Sequence, residues 1–147
     1  MHSRNSLAVT AIALMLAAPA AFAQQAGTAE KWQSVAKTDN QEAFVNGSSI
    51  ATVGTQLEAR VKQNFAQPQP SAKQGKTYLS SRTTYRFDCA QRRMAMKEVR
   101  TYSGGDLQGE PVQKATSSDK NLQWLDAPDS TVFGELLDYV CERAPPG

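Results

Sequence analysis

The strongest constraint on the fold of this chain is the position of its two cysteines. Cys89 lies at the junction of two predicted β-strands that together span residues 78–102. Cys141 lies near the C-terminus, in a segment with clear helical periodicity. A bond between the two thiols would join the last helix to the middle of a sheet and would close the intervening chain into a loop.

The N-terminus has the three regions of a secretory signal peptide. Arg4 supplies a positive start, residues 7–18 form a short apolar run, and Ala21-Phe22-Ala23 gives the small-x-small pattern that precedes cleavage. An uncleaved membrane anchor is the alternative, but the apolar run is shorter than the about 20 residues that span a bilayer. We predict a signal peptide over residues 1–23 and a single exported domain over residues 24–147.

Export decides how the two cysteines are interpreted, because exported proteins mature in an oxidising compartment. The C-x-x-C spacing of redox enzymes is absent, and two thiols are too few for a structural zinc site. We therefore predict a disulfide between Cys89 and Cys141, with two free buried thiols as the alternative. Neither cysteine lies near the predicted cleavage site, which argues against an acylated lipoprotein N-terminus.

Alternating apolar and polar residues predict an antiparallel sheet with one buried and one wet face. Residues 55–65 show the pattern most clearly, since Leu57 and Val61 share one parity while charged and amide side chains occupy the other. Residues 67–76 are predicted as a loop, because their two prolines cannot donate to a ladder. A turn is predicted at Asn46-Gly47-Ser48. The other predicted strands are residues 31–38, 42–46, 49–53, 111–112 and 122–125, with two more inside 78–102.

One helix is predicted at the C-terminal end of the chain. Its apolar side chains recur at helical spacing and form one stripe: Phe133, Leu136, Leu137, Val140 and Cys141. Asp129 or Ser130 is the predicted cap, since either side-chain oxygen can accept from the free amides of the first turn. Gly134 is expected to weaken the helix by about 1 kcal/mol relative to alanine. The predicted fold class is α+β: an antiparallel β-sheet of about six strands with one C-terminal α-helix packed on a face and disulfide-tethered to it.

The composition argues against catalysis and against nucleic-acid binding. The single histidine is His2, in the leader, so the mature chain lacks the usual general base and the usual zinc and haem ligands. Asp126 and Asp129 form a carboxylate pair of the kind that glycosidases use, but a role at the start of the helix explains them better. The chain has 16 Lys and Arg residues, and removal of Arg4 leaves 15, which nearly balance the 14 Asp and Glu residues. We predict no enzyme activity, no metal site, no cofactor, no nucleic-acid partner and no transmembrane segment in the mature chain.

Several short motifs follow one another in an order found in a known family. In chain order they are Trp32 with Val35, Phe44-Val45, Ser48-Ser49-Ile50, Gly54, the long alternating strand, Asp88-Cys89-x-x-Arg92-Arg93, Trp124, Pro128-x-Ser130 and Val140-Cys141. This order resembles the surface-adhesin protein E family of Gram-negative envelope proteins, over nearly the whole mature chain. The resemblance implies an antiparallel sheet with a C-terminal helix tethered by a disulfide. It also implies binding of host extracellular-matrix and serum proteins.

The resemblance places the binding segment on the strand that runs into the first cysteine, residues 76–93. Its candidate protein-binding residues are Arg82, Tyr85, Arg86, Arg92 and Arg93. The arginines at 82 and 86 also fit the solvent face of a half-buried sheet, and the tyrosine also fits core packing. Arg92 and Arg93 have opposite parities, so one of them is expected to point to the interior or the rim and to pair with Asp88 or Asp126.

The sequence thus predicts an exported, non-enzymatic binding module of the bacterial envelope whose partner is a host matrix or serum protein. A periplasmic structural or accessory protein of an envelope assembly, without adhesin activity, is the alternative. A hydrolase that uses only carboxylates is the least favoured hypothesis. The predicted location is the periplasm or the cell surface of a Gram-negative bacterium.

Overall fold

The computed structural model describes residues 30–146, so the predicted signal peptide lies outside the described residues. Within them, seven strands precede one α-helix: β1 Trp32–Lys37, β2 Gln41–Val53, β3 Gln56–Pro70, β4 Thr77–Asp88, β5 Arg93–Tyr102, β6 Pro111–Thr116, β7 Trp124–Asp126 and α1 Val132–Glu142. A short 3₁₀ helix, Asp119–Asn121, lies between β6 and β7.

The strands form one antiparallel sheet in which neighbours along the chain are neighbours in space. The order is β1-β2-β3-β4-β5-β6, and β7 pairs with β5 next to the stretch that β6 covers. Gly54 has a φ of 61° in the tight connection between β2 and β3, as expected for a hairpin turn at this glycine. A sheet of six to seven strands followed by one helix confirms the predicted fold class.

The core lies between α1 and one face of the sheet. Leu136, Leu137 and Val140 of the helix are at most 1% exposed, and they pack against inward side chains of β1 to β4 such as Val61 and Phe87. Burial of side chains of this size contributes roughly 1.5–3 kcal/mol each. The inward parity predicted for β3 is confirmed, and most of the hydrophobic stabilisation comes from this single layer.

The predicted turn at Asn46-Gly47-Ser48 is wrong, because β2 runs through it. The pairing of β2 with β3 shifts between Asn46 and Ala51, so residues 47–50 of β2 lie opposite a single residue of β3 and depart from the regular ladder. Asn46 Oδ1 accepts hydrogen bonds from the backbone N and the Oγ of Ser48, at 3.2 and 2.7 Å. Ser49 Oγ then accepts from the backbone N of Arg60 at 2.8 Å. A side-chain oxygen thus takes the place of a backbone acceptor, and the strand continues.

The loop predicted over residues 67–76 is also too long, because β3 extends to Pro70. β2 begins at Gln41, which pairs with Phe65, so no residue of β2 lies beside β3 beyond that point. Pro68 and Pro70 therefore remove no ladder bond to β2. On the opposite side, β3 and β4 stay paired after a shift in register.

α1 is capped by Thr131 and not by Asp129 or Ser130. The Oγ1 of Thr131 accepts a hydrogen bond from Gly134 N at 3.1 Å and donates to the Pro128 carbonyl at 2.6 Å. Ser130 has a φ of 62°, in the left-handed region, so the chain turns at this residue. The helix begins only after this turn, one residue beyond its threonine cap.

The predicted disulfide is confirmed, since Cys89 and Cys141 are bonded across 52 residues of sequence. Cys89 directly follows β4, and Cys141 lies in the last turn of α1. The bond therefore fastens the end of the helix to the sheet. No helix within residues 30–146 is both long enough and apolar enough to cross a lipid bilayer.

Candidate protein-binding surface

The face of the sheet turned away from α1, here called the outer face, carries many charged side chains. Thr83, Tyr85 and Phe87 of β4 enter the core, so the residues between them face outward. On β3 to β6, the outer-face cations are Arg60, Lys62, Arg82, Arg86, Arg93, Lys97, Arg100 and Lys114. The carboxylates that pair with them are Glu30, Glu58, Asp88, Glu98, Asp106 and Asp119.

Arg82 forms a two-pronged ion pair with Glu30, which precedes β1. Arg82 Nε lies 3.1 Å from Oε2 of Glu30, and Nη2 lies 2.6 Å from Oε1. Arg60 Nε lies 3.1 Å from the same Oε1. Burial alone raises the pKa of the Glu30 carboxyl, but the hydrogen bond and charge of Arg82, with the charge of Arg60, bring that pKa below its ordinary 4.5. The Arg82 side chain remains 27% exposed and can be reached by solvent.

Arg86 faces outward by its parity but is covered, which corrects the expectation that it lies on the solvent face. Its side chain is 8% exposed. Nε and Nη2 donate to Glu58 Oε2 at 3.2 and 3.1 Å, and Nη2 also donates to Asp119 Oδ1 at 3.1 Å. Lys97 Nζ donates to the same Asp119 oxygen at 2.7 Å. The hydrogen bond and charge of Lys97, followed by the charge of Arg86, lower the pKa of Asp119.

Arg93 is the arginine that occupies the rim and pairs with Asp88, as one of the two neighbouring arginines was expected to do. Its Nε donates to Asp88 Oδ2 at 3.2 Å. Its guanidinium carbon lies 4.8 Å from the ring centroid of Trp124, a distance at which a cation–π attraction operates. One third of the Arg93 side chain is exposed, so it offers a charged, aromatic-backed contact at the edge of the outer face.

Arg92 lies in the turn between β4 and β5, where its φ of 49° removes it from the strand alternation. Nη1 donates to Asp138 of α1 at 2.7 Å, and Nη2 lies 2.7 Å from Asp129. Nη2 also donates to the Ala127 carbonyl at 3.4 Å. Arg92 thus ties the turn that follows Cys89 to the helix that carries the other half of the disulfide.

Tyr85 lies in the core, on the face opposite to Arg82 and Arg86. It is 5% exposed, and its ring centroid lies 6.2 Å from that of Phe87 and 6.1 Å from that of Phe133 on the helix. Burial raises the pKa of Tyr85 to about 12. Of the two interpretations of this tyrosine, the structure supports packing.

The register of the sheet reveals a feature that the sequence analysis missed. Four cations lie directly opposite one another on β3, β4, β5 and β6, and we call them the cationic row: Lys62, Arg82, Arg100 and Lys114. Lys62 was predicted on the wet face but is buried, because it pairs with Asp106 and lies 4.4 Å from the Phe44 ring centroid. The alternation of polar residues along each strand indicated that these cations face outward. Their alignment into a row depends on the pairing register between strands, which the sequence alone does not give.

Arg82 holds the Glu30 carboxylate through both of its oxygens, which is the two-pronged geometry in which an arginine fork binds a carboxylate. A shallow cavity of about 240 Å³, lined in part by Ser49, Glu58 and Thr84, opens beside Arg60. Within residues 30–146, no three His, Cys, Asp or Glu side chains are grouped in a way that could hold a metal ion.

Solved structures define the class of fold. The structure of Haemophilus influenzae protein E matches with a TM-score of 0.52 and 14% identity, over 76% of this chain and 83% of that chain. Crystal form II of that protein gives a TM-score of 0.54 at 14% identity, over 76% of this chain and 87% of that one. Protein E from non-typeable Haemophilus influenzae gives 0.51 at 15% identity, over 76% and 75%. At such identities the likeness shows the fold.

The family itself follows from the sequence match. The surface-adhesin protein E family matches residues 32–142, and the chain belongs to this family. Membership of this surface-adhesin family implies an exported protein of the adhesin type and indicates a non-enzymatic role. A comparison with curated proteins finds no match.

Proposed function

We propose that this protein binds a host extracellular-matrix or serum protein through the outer face of its sheet, without catalysis. The observation that carries the proposal is the family match over residues 32–142. The outer face supports it, because charged groups there are partly exposed and arranged on a rigid sheet. Contacts of this kind bring specificity and fast association more than raw affinity.

The candidate arginines divide into two roles. Arg82 and Arg93 keep 27% and 33% of their side chains exposed, so they are the proposed contact residues. Arg86 is buried under Asp119, and Arg92 ties the turn to the helix, so their proposed role is to support the surface.

The test compares Arg82→Gln with Lys37→Gln in the full mature protein, against a panel of purified matrix and serum proteins. Each variant removes one positive charge. Lys37 is 72% exposed on the outward side of the edge strand β1, three strands from Arg82 on β4. We expect Arg82→Gln to weaken binding of the recognised partner about tenfold, the scale of one charge-assisted hydrogen bond. Lys37→Gln should bind like the parent. Equal affinity of both variants and the parent at low salt would remove the outer face from the proposal.

A periplasmic accessory role is the second candidate, and one observation favours it. Seven of the eight outer-face cations on β3 to β6 already have a carboxylate of the same chain within 4 Å, as expected for a surface without an external partner. Cell fractionation with protease treatment of intact cells separates the two candidates. Digestion of the protein on intact cells supports the adhesin, and protection until the outer membrane is opened supports the accessory role.

In either case the mature chain is expected to begin at Gln24, which intact-mass analysis checks.

A further inference from the structure

We propose that the cationic row is a binding track for a sulfated polysaccharide chain of the glycosaminoglycan type. The row consists of Lys62, Arg82, Arg100 and Lys114, one from each of four adjacent strands, each directly opposite the next. Adjacent strands lie about 4.8 Å apart, so the row is a straight line about 14 Å long across the sheet.

The row is not what stabilisation of the sheet would select. Like charges directly opposite each other on neighbouring strands are destabilising, whereas opposite charges are favourable. The same face uses favourable pairs elsewhere, since Glu58 lies opposite Arg86 and Asp88 lies opposite Arg93. Carboxylates of the chain already pair with three of these cations: Asp106 with Lys62, Glu30 with Arg82 and Glu98 with Arg100. A ligand with several negative charges in a line would compete for the two exposed arginines and would bind Lys114 as well.

The accessible part of the row has the shape of a track for an extended chain. Arg82 and Arg100 are 27% and 43% exposed, and Lys114 is exposed. Lys62 is 8% exposed and already paired with Asp106, so it closes one end of the track and is not a proposed contact. Arginine forks suit the planar oxygen pairs of sulfate and carboxylate groups. A linear polysaccharide with sulfates along its length can meet successive cations without entering a pocket.

The small number of aromatic rings that the described residues place along the accessible track separates this ligand from single-stranded nucleic acid. Nucleic-acid grooves combine cations with aromatic rings on which successive bases stack. Trp32 and Phe44 lie against Lys62 at the closed end, and Tyr102 follows Arg100 on the outward side of β5, where it is partly buried. Within residues 30–146, one ring beside the accessible cations does not provide a succession of stacking positions, whereas each of these cations can bind a sulfate group.

Glu30 acts as an internal competitor for the track. Its carboxylate lies between Arg60 and Arg82 and occupies the positions that a sulfate of the ligand would take. Removing this carboxylate should strengthen binding, whereas removing a cation of the row should weaken it. Opposite changes from two neighbouring substitutions cannot arise from general loss of structure.

The experiment measures binding of a defined heparin oligosaccharide to the mature protein by calorimetry at several salt concentrations. We expect affinity that falls as salt rises, because ions are released when a polyanion binds. Arg100→Gln and Lys114→Gln should each weaken binding about tenfold, Glu30→Gln should strengthen it several-fold, and Lys37→Gln should leave it unchanged. Melting curves of each variant confirm that the fold is intact.

Four outcomes would overturn the proposal: no heparin binding at low salt, an equal loss in Lys37→Gln, or equal competition by a single-stranded oligonucleotide or by poly-glutamate of matched charge. The last would assign the row to an acidic protein segment instead. The protein-binding assay uses partners free of polysaccharide. The polysaccharide test relies on Arg100 and Lys114, which are not among the proposed protein-contact residues Arg82 and Arg93. Failure of the polysaccharide track therefore leaves that proposed function standing, and the reverse also holds.

Discussion

Arg82 and Arg86 are successive arginines on the outward side of β4 but differ in burial, so the same substitution should affect them differently. Arg86→Met leaves the Glu58 carboxylate without its cation at a site where the Arg86 side chain is 8% exposed. We expect a loss of about 2 kcal/mol in the free energy of unfolding, below the cost of breaking a fully buried pair because Asp119 is exposed. Arg82→Met should cost less than about 1 kcal/mol, since Glu30 keeps Arg60. Urea unfolding of the two variants measures these losses. Equal losses would contradict the conclusion that Arg86 supports the fold more than Arg82 does.

The loss of stability at acidic pH should also depend on a few individual carboxyl groups. Glu30, Asp106 and Asp119 have lowered pKa values in the folded state. A lowered folded pKa stabilises the fold above the unfolded pKa, and this stabilisation is lost as the pH falls through the folded value. We expect the melting temperature to hold steady above pH 5 and to fall below the ordinary carboxyl pKa values of 4.5 and 3.8. Glu30→Gln and Asp106→Asn should each flatten that fall, and an unchanged slope in both would contradict it.

Residue-scale features of the site were only partly predictable. The parity of Tyr85 already allowed core packing, and the pair between Arg93 and Asp88 was among those expected. The cover over Arg86 was not predictable, because Asp119 comes from a 3₁₀ helix more than 30 residues later. The side-chain direction of Arg92 could not be predicted from strand alternation, because its positive φ places it in a turn outside the strand.

Gly134 illustrates how packing reverses an expectation based on helix propensity. A Cβ at this position would lie 2.0 Å from the Pro128 carbonyl oxygen and 2.9 Å from its carbon, both backbone atoms. Gly134→Ala gains about 1 kcal/mol of helix propensity but must displace the segment that leads into the cap. We expect a net loss of about 1–3 kcal/mol, the usual cost of overpacking. Glu135→Ala, at an exposed position of the same turn, is the control in thermal unfolding, and a more stable Gly134→Ala would show that the segment yields.

Errors at the level of elements came from local turn signals that the sheet overrides. Alternation predicted β3 and β4 well, because one face of each is buried. Pro68 and Pro70 predict a loop when the sequence is read locally. They are tolerated in β3 because β2, the neighbouring strand on that side, does not extend beyond Phe65 of β3. The Asn46-Gly47-Ser48 segment makes the local hydrogen bonds of a turn, but Ser49 keeps it joined to β3. Such outcomes depend on where the neighbouring strand stops, which a sequence window does not contain.

The disulfide sets the stability of the molecule as a whole. Its loop of 52 residues is worth about 4 kcal/mol on the chain-entropy relation. Reduction should therefore lower the melting temperature by roughly 10–15 °C for a domain of this size. The variant Cys89→Ser/Cys141→Ser should melt like the reduced protein and should not respond to reductant. A melting temperature that is the same with and without reductant would show that the helix needs no covalent tether.

The same bond also limits how far the molecule can lengthen under mechanical load. When a force pulls on the two ends of the described chain, the strands from β1 to β4 can be drawn out, but the segment between Cys89 and Cys141 is bypassed by the covalent bond. At about 3.5 Å per extended residue, the disulfide therefore shortens the maximum extended length of the chain by on the order of 180 Å. An attachment protein exposed to shear would thus keep β5, β6, β7 and α1 in a short closed ring while the rest of the sheet is stretched.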